Sequence, residues 1–137
     1  MTTDVHGFAI EQLNRLLTAL TDQVHRSAKQ PGPEEIHDLR VSIRRFTQAL
    51  QLFADFFPAG QVKKIRTMLK SLMRLTSAIR DRDITLEFLV EAGNTAHRPR
   101  LEKERLTYQR QFSQMLRRWS AQDFPAKWRS GLSLRSV

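Results

Sequence analysis

Residues 36–57 read IHDLRVSIRRFTQALQLFADFF, and two patterns are superposed in that stretch. Ile36, Leu39, Ile43, Phe46, Leu50, Phe53 and Phe57 recur at unbroken spacings of three and four, the period of a helix that buries one stripe in a bundle core. Beside them His37, Arg40 and Arg44 form a second row with the same spacing, an imidazole and two guanidiniums along one line of one helix. At about 100 degrees per residue the basic row lies roughly 125 degrees round from the apolar seam, so it flanks the core and is free to face a polar groove. Solvated helix faces usually mix signs. This row does not.

Outward from this segment the helical period continues. Towards the N-terminus, Phe8, Leu13, Leu16, Leu17, Leu20 and Val24 predict a helix over about residues 4–29. The run Gln30-Pro-Gly-Pro33 breaks it, and Pro33 followed by Glu34 and Glu35 sets a first-turn proline and two acids at the positive end of the next helix. That second helix is expected to reach Phe57, where Pro58-Ala-Gly60 allows an antiparallel reversal. A third seam follows at Ile65, Met68, Leu72, Leu75 and Ile79, then meets Arg82 and Asp83 before resuming at Leu86 and Leu89; the intrusion predicts a helix break or a functional polar site. Gly93-Asn94 stops the third segment. A fourth helix is expected over 98–120 through Leu101, Leu106, Tyr108, Phe112, Met115, Leu116 and Trp119, and Asp123 is placed to cap a short last helix over 125–131. Short connections between long amphipathic helices favour antiparallel neighbours. The expected fold is all-α, an up-down antiparallel bundle of about four long helices plus a short C-terminal one, in a single domain over residues 1–137.

Composition narrows the function. The 137 residues hold few Gly and Pro and many Leu, Arg, Gln and Ala, which suit helices. There is no cysteine, which removes disulfides and thiolate metal sites, and the four histidines have no close ligand spacing. No metal or cofactor is expected. The first residues lack a basic then apolar leader pattern and no run is long enough to span a bilayer, so a cytoplasmic protein is expected. Glycine-rich phosphate loops, nucleophile elbows and HExxH are absent from the chain, which points to a binder and not an enzyme.

The formal charge is +9, carried by two blocks. Residues 36–82 hold ten basic and three acidic side chains, residues 98–137 again ten and three, and the remainder sums to −5. Such a field attracts polyanions: nucleic acid, polyphosphate or an anionic membrane surface. In the first block the second helix offers His37, Arg40, Arg44 and Arg45, and the third offers Lys63, Lys64, Arg66, Lys70 and Arg74, with 66, 70 and 74 at i, i+4, i+8. Like charges at that spacing destabilise a helix by a few tenths of a kcal/mol per pair, roughly, unless an anion compensates. Guanidinium forks grip phosphate oxygens two at a time, ammonium groups act as movable point charges, and histidine adds a donor that strengthens on protonation. A plain solvated face is the competing reading of both rows, and an internal salt-bridge cluster is that of Arg80-Asp81-Arg82-Asp83. Trp119, Trp128 and Tyr108 stand at core-like spacing and read as packing.

The run 36–53 resembles the signature helix of the CHAD family, the conserved-histidine α-helical domains, whose pattern is HxxRVxxRR followed by a Leu- and Phe-rich turn. Residues 70–84, KSLMRLTSAIRDRDI, are similar to the second family motif, in which a basic helix leads into LGxxRDxDV, here without the usual Gly at Thr76-Ser77 and with Ile84 in place of Val. The resemblance implies a helical bundle with a basic cavity that binds inorganic polyphosphate without catalysis, often on polyphosphate granules. By motif match it assigns phosphate binding to His37, Arg40, Arg44 and Arg45 and to Lys70, Arg74 and Arg80; Lys63 and Arg66 join them from the charge reading alone. Family members usually carry two related bundles, and this chain has no second copy of the motif. It therefore reads either as a natural half-domain that pairs as a homodimer around a two-fold axis, or as a truncated piece with a one-sided basic face. A nucleic-acid-binding helical protein is the alternative, supported by the charge and opposed by the lack of a helix-turn-helix signature or an aromatic platform between the basic rows.

Overall fold

A computed structural model describes residues 4–134. Five α-helices follow one another: α1 Val5–Lys29, α2 Pro33–Leu52, α3 Ala59–Glu91, α4 Arg98–Ala121 and α5 Phe124–Gly131, with no strand among the described residues. α1 and α2 pack as one antiparallel hairpin and α3 and α4 as a second. α2 lies along α3, α1 touches α4, and α5 folds back against α1, α3 and α4.

The ends of the helices follow from their local residues. Asp4 Oδ1 accepts from the Gly7 amide at 2.8 Å and caps α1. Pro33 opens α2 with Glu34 and Glu35 in its first turn. At the far end of α3, Gly93 adopts φ +70, its amide bonds to Val90 O, and the Asn94 amide reaches Leu89 O at 3.0 Å; this left-handed glycine closure satisfies the last carbonyls. α2 ends earlier than the spacing predicted. It stops at Leu52 and gives way to a 3-10 turn over Ala54–Phe56, because Phe57, held extended by the following Pro58, cannot continue a helix. Asp123 precedes α5 but makes no side-chain cap: it sits at φ 51, in the left-handed region, and only its carbonyl bonds onward to the Lys127 amide.

The core is continuous from Ala9 in α1 to Leu134. On α2 the buried positions are Ile36, Leu39, Ile43, Phe46 and Leu50, the expected stripe. Phe46 stacks on Trp128, which in turn meets Trp119 and Phe124 edge-on at 5.5 and 5.0 Å, so the two tryptophans are packing residues. Phe8, at 52% exposure, and Leu106 lie outside the core although the apolar pattern included them. On α3 the buried line is Val62, Ile65, Leu69, Leu72, Thr76 and Ile79, while Met68 and Leu75 are only half-buried. Ile65, Leu72 and Ile79 are buried as expected, but α3 is packed on two sides, by α2 and by α4, and the line between them runs through Leu69 and Thr76 in place of Met68 and Leu75.

No break occurs at Arg82-Asp83. α3 runs on to Glu91, because both charges are taken up by α4: Arg82 Nε donates to Glu104 at 3.3 Å with its guanidinium 4.8 Å over the Tyr108 ring, and Asp83 pairs with Arg105. Arg105 Nη2 also donates to Pro31 O at 3.0 Å, which ties the α1–α2 connection to the second hairpin. At about 1.5 Å per residue α3 is roughly 50 Å long against roughly 30 Å for α2, and it projects past the start of α2. Ile84 and Phe88 are 50% and 68% exposed on that projection.

Candidate anion-binding site

The basic row of α2 turns towards α3. Arg40 is half-buried at the crossing, and its Nη1 donates to Ser77 Oγ at 2.6 Å, Thr76 Oγ1 at 3.1 Å and Met73 O at 3.3 Å. One turn further along α2, Arg44 lines a groove of about 470 Å³ between the two helices. Lys63, Arg66 and Lys70 line it from α3; Thr47, Gln48, Gln51 and Thr67 add neutral polar groups, and Ile43, Leu69 and Met73 complete it. Four cations and no acid line this groove. Each cation is exposed, and none has an acidic partner within salt-bridge distance among the described residues.

One turn in the other direction, His37 and Arg80 line a second groove of about 330 Å³ with Pro33, Ile36 and Ile84. Here signs are mixed, since Asp83 and Glu87 also line it. Arg40 stands between the two grooves. Burial lowers its guanidinium pKa below the ordinary arginine range, and the like charges of Arg80 and then Arg44 lower it further, against a smaller opposing effect of Asp81. The side chain stays charged at any working pH, so this is a standing electrostatic cost at neutrality that an incoming anion relieves.

Of the nine residues singled out in the sequence, Arg44, Lys63, Arg66 and Lys70 come together in the larger groove and His37 and Arg80 in the smaller; Arg40 lines neither, but stands one turn from each on α2 and bonds to Met73 of the larger groove. Arg45 and Arg74 line neither. Each is exposed, about 100 degrees round its helix from Arg44 or Met73, which do face the groove. Sequence reasoning passed over Thr47, Gln48 and Thr67, although they follow Arg44 and Lys63 at three or four residues and extend the same rows. It also passed over Ser77, and met Thr76 only where the family's glycine is missing, not as one of the two hydroxyls that receive Arg40. The clue was a polar residue, Thr76, on the buried line of α3.

Residues 10–136 match the family described as the CHAD domain. The chain belongs to the CHAD-domain family. Both motif helices of this CHAD domain, α2 and α3, therefore contribute to the one intervening groove system. No curated protein and no solved structure matches the chain. Among the described residues no helix of the CHAD domain is long and apolar enough to cross a membrane.

Proposed function

We propose that this CHAD domain binds inorganic polyphosphate, without catalysis, in the trough between α2 and α3. The observation that carries the reading is the larger groove, where Arg44, Lys63, Arg66 and Lys70 converge with no acidic residue in the lining. A row of cations with flanking hydroxyl and amide groups suits a repeating phosphate chain: the charges neutralise successive phosphates, and Thr47, Gln48 and Gln51 donate to bridging or terminal oxygens. Arg40, His37 and Arg80 extend the track into the smaller groove. Membership of the CHAD family supports polyphosphate over other polyanions. Nucleic acid is less well served, since no Phe, Tyr or Trp ring lines either groove and the larger one offers bases no stacking platform. In the same reading the chain acts as one domain, works in the cytoplasm at polyphosphate deposits, and pairs as a homodimer; light scattering at micromolar concentration, with and without polyphosphate, decides the last point.

The test is calorimetric titration with long-chain polyphosphate at physiological salt, with DNA of equal phosphate charge as competitor and Arg44→Ala/Lys70→Ala as control. Binding that DNA does not displace and the double variant loses is the expected result. Equal displacement by DNA, or binding indifferent to the two substitutions, overturns it. Phosphate release from the polymer by the isolated chain would contradict a purely binding role.

A further inference from the structure

Arg40 differs from every other cation of the trough in how it is held. All three of its hydrogen bonds leave from a single nitrogen, Nη1, to Ser77 Oγ, Thr76 Oγ1 and Met73 O. The acceptor side of this arrangement is itself fixed. Thr76 is fully buried, and its hydroxyl donates to Met73 O at 3.0 Å, which turns the oxygen lone pairs towards Arg40. The remaining donors of the guanidinium, Nε and Nη2, have no protein partner among the described residues. Neither is shut away from solvent: the buried side-chain polar atom without a partner among those residues is Gln23 Oε1. One corner of the fork is tethered and the opposite edge is open.

We propose that Thr76 and Ser77 are positioning residues that hold Arg40 with its Nε–Nη2 edge presented to a phosphate at the junction of the two grooves. The inference rests on the polyanion reading of the trough and adds to it a division of labour. The Nε–Nη2 edge carries two parallel N–H groups, the pair that grips two oxygens of one phosphate. Arg44 and Arg80 repel this guanidinium, and an untethered side chain would swing into solvent away from them. The hydroxyl pair of α3 prevents that. Arg40 is thereby oriented before the ligand arrives, whereas Lys63, Arg66 and Lys70 are exposed and have no such tether among the described residues.

The test uses Thr76→Val/Ser77→Ala, which removes both hydroxyls and no charge, in titrations with long-chain polyphosphate over a range of salt. Affinity is expected to fall about five- to tenfold. The slope of log affinity against log salt is expected to stay at the wild-type value, because the number of neutralised phosphates is unchanged. Arg40→Ala is expected to reduce that slope by roughly 0.7, and adding the two hydroxyl substitutions to it should cost nothing further. Thr76→Ser should bind as wild type. Melting curves accompany each variant, and Ser77→Ala alone, at a half-buried position, keeps the test open if the double variant unfolds. In the free protein the Arg40 Nε–H should be rigid by NMR relaxation and become mobile in the double variant. Unchanged affinity in a folded double variant, or an equal loss in the Arg40→Ala background, overturns the positioning role alone. Failure of the wild type to bind polyphosphate overturns the functional reading and this inference with it.

Discussion

Along α3, Arg82 and Asp83 turn towards α4 and meet charges of opposite sign, whereas Lys63, Arg66 and Lys70 turn towards α2 and meet Arg44. Both sides of this one helix carry charged side chains. On the α4 side each is consumed: Arg105 and Asp83 are 18% and 15% exposed and paired through both carboxylate oxygens along the Nε–Nη2 edge, and Arg82 is divided between Glu104 and Tyr108. On the α2 side the cations face a groove with no acid in its lining. The two faces differ in the sign of the nearest neighbour, so charge cancels on the α4 side and accumulates on the α2 side. Paired charges hold the second hairpin together, and unpaired ones leave a field for a ligand.

The largest effect that would break this contrast lies on the paired side. Asp83→Ala strands a half-buried guanidinium and is expected to cost about 2 kcal/mol, less than for a fully buried pair because solvent reaches both groups, and to lower the melting temperature by roughly 6–10 °C. Polyphosphate affinity of the folded fraction should not fall, and should rise slightly because an acid leaves the lining of the smaller groove. Next comes Arg44→Ala/Lys70→Ala, expected to weaken polyphosphate binding about 25-fold near 0.1 M salt and to reduce the salt slope by roughly 1.4, with stability unchanged or slightly raised as repulsion is relieved. Urea unfolding beside calorimetry separates the two classes. A sharper comparison is between neighbours: Arg82→Ala should lose about 0.5–1 kcal/mol of stability and no binding, while Arg80→Ala should lose a few-fold in binding and no stability. If both residues behaved alike, the division of α3 into a structural and a ligand side would fail. The smallest effects belong to Arg45→Ala and Arg74→Ala, which carry charge but line neither groove; each should change affinity by less than about twofold, and only at low salt.

Much of the fold was legible because burial on α2 is one-sided. Ile36, Leu39, Ile43, Phe46 and Leu50 face one core, and a single 3.6-residue period describes them. α3 was harder to read. Packed by α2 and α4 together, it has no single apolar stripe, and its buried line passes through Thr76 while Met68 and Leu75 sit half out. Of the two readings of Arg82-Asp83, a helix break or a functional polar site, the break does not occur, for the same reason. A charge on a seam looks like an interruption when its partner, Glu104 or Arg105, lies 22 residues further along the chain.

The amino-acid sequence by itself determined the helices, their order, the core face of α2, the presence of two like-charged rows and the family to which they belong. All of these depend on residues within a few turns of one another, where helical periodicity and side-chain chemistry act locally. Tertiary structure decided which cations share a groove, which are neutralised across a helix pair, and that one arginine is fastened by two hydroxyls more than thirty residues away. Those outcomes depend on the rotation and axial offset of α3 between its two neighbours. Packing of the whole core sets both, and no local pattern encodes them.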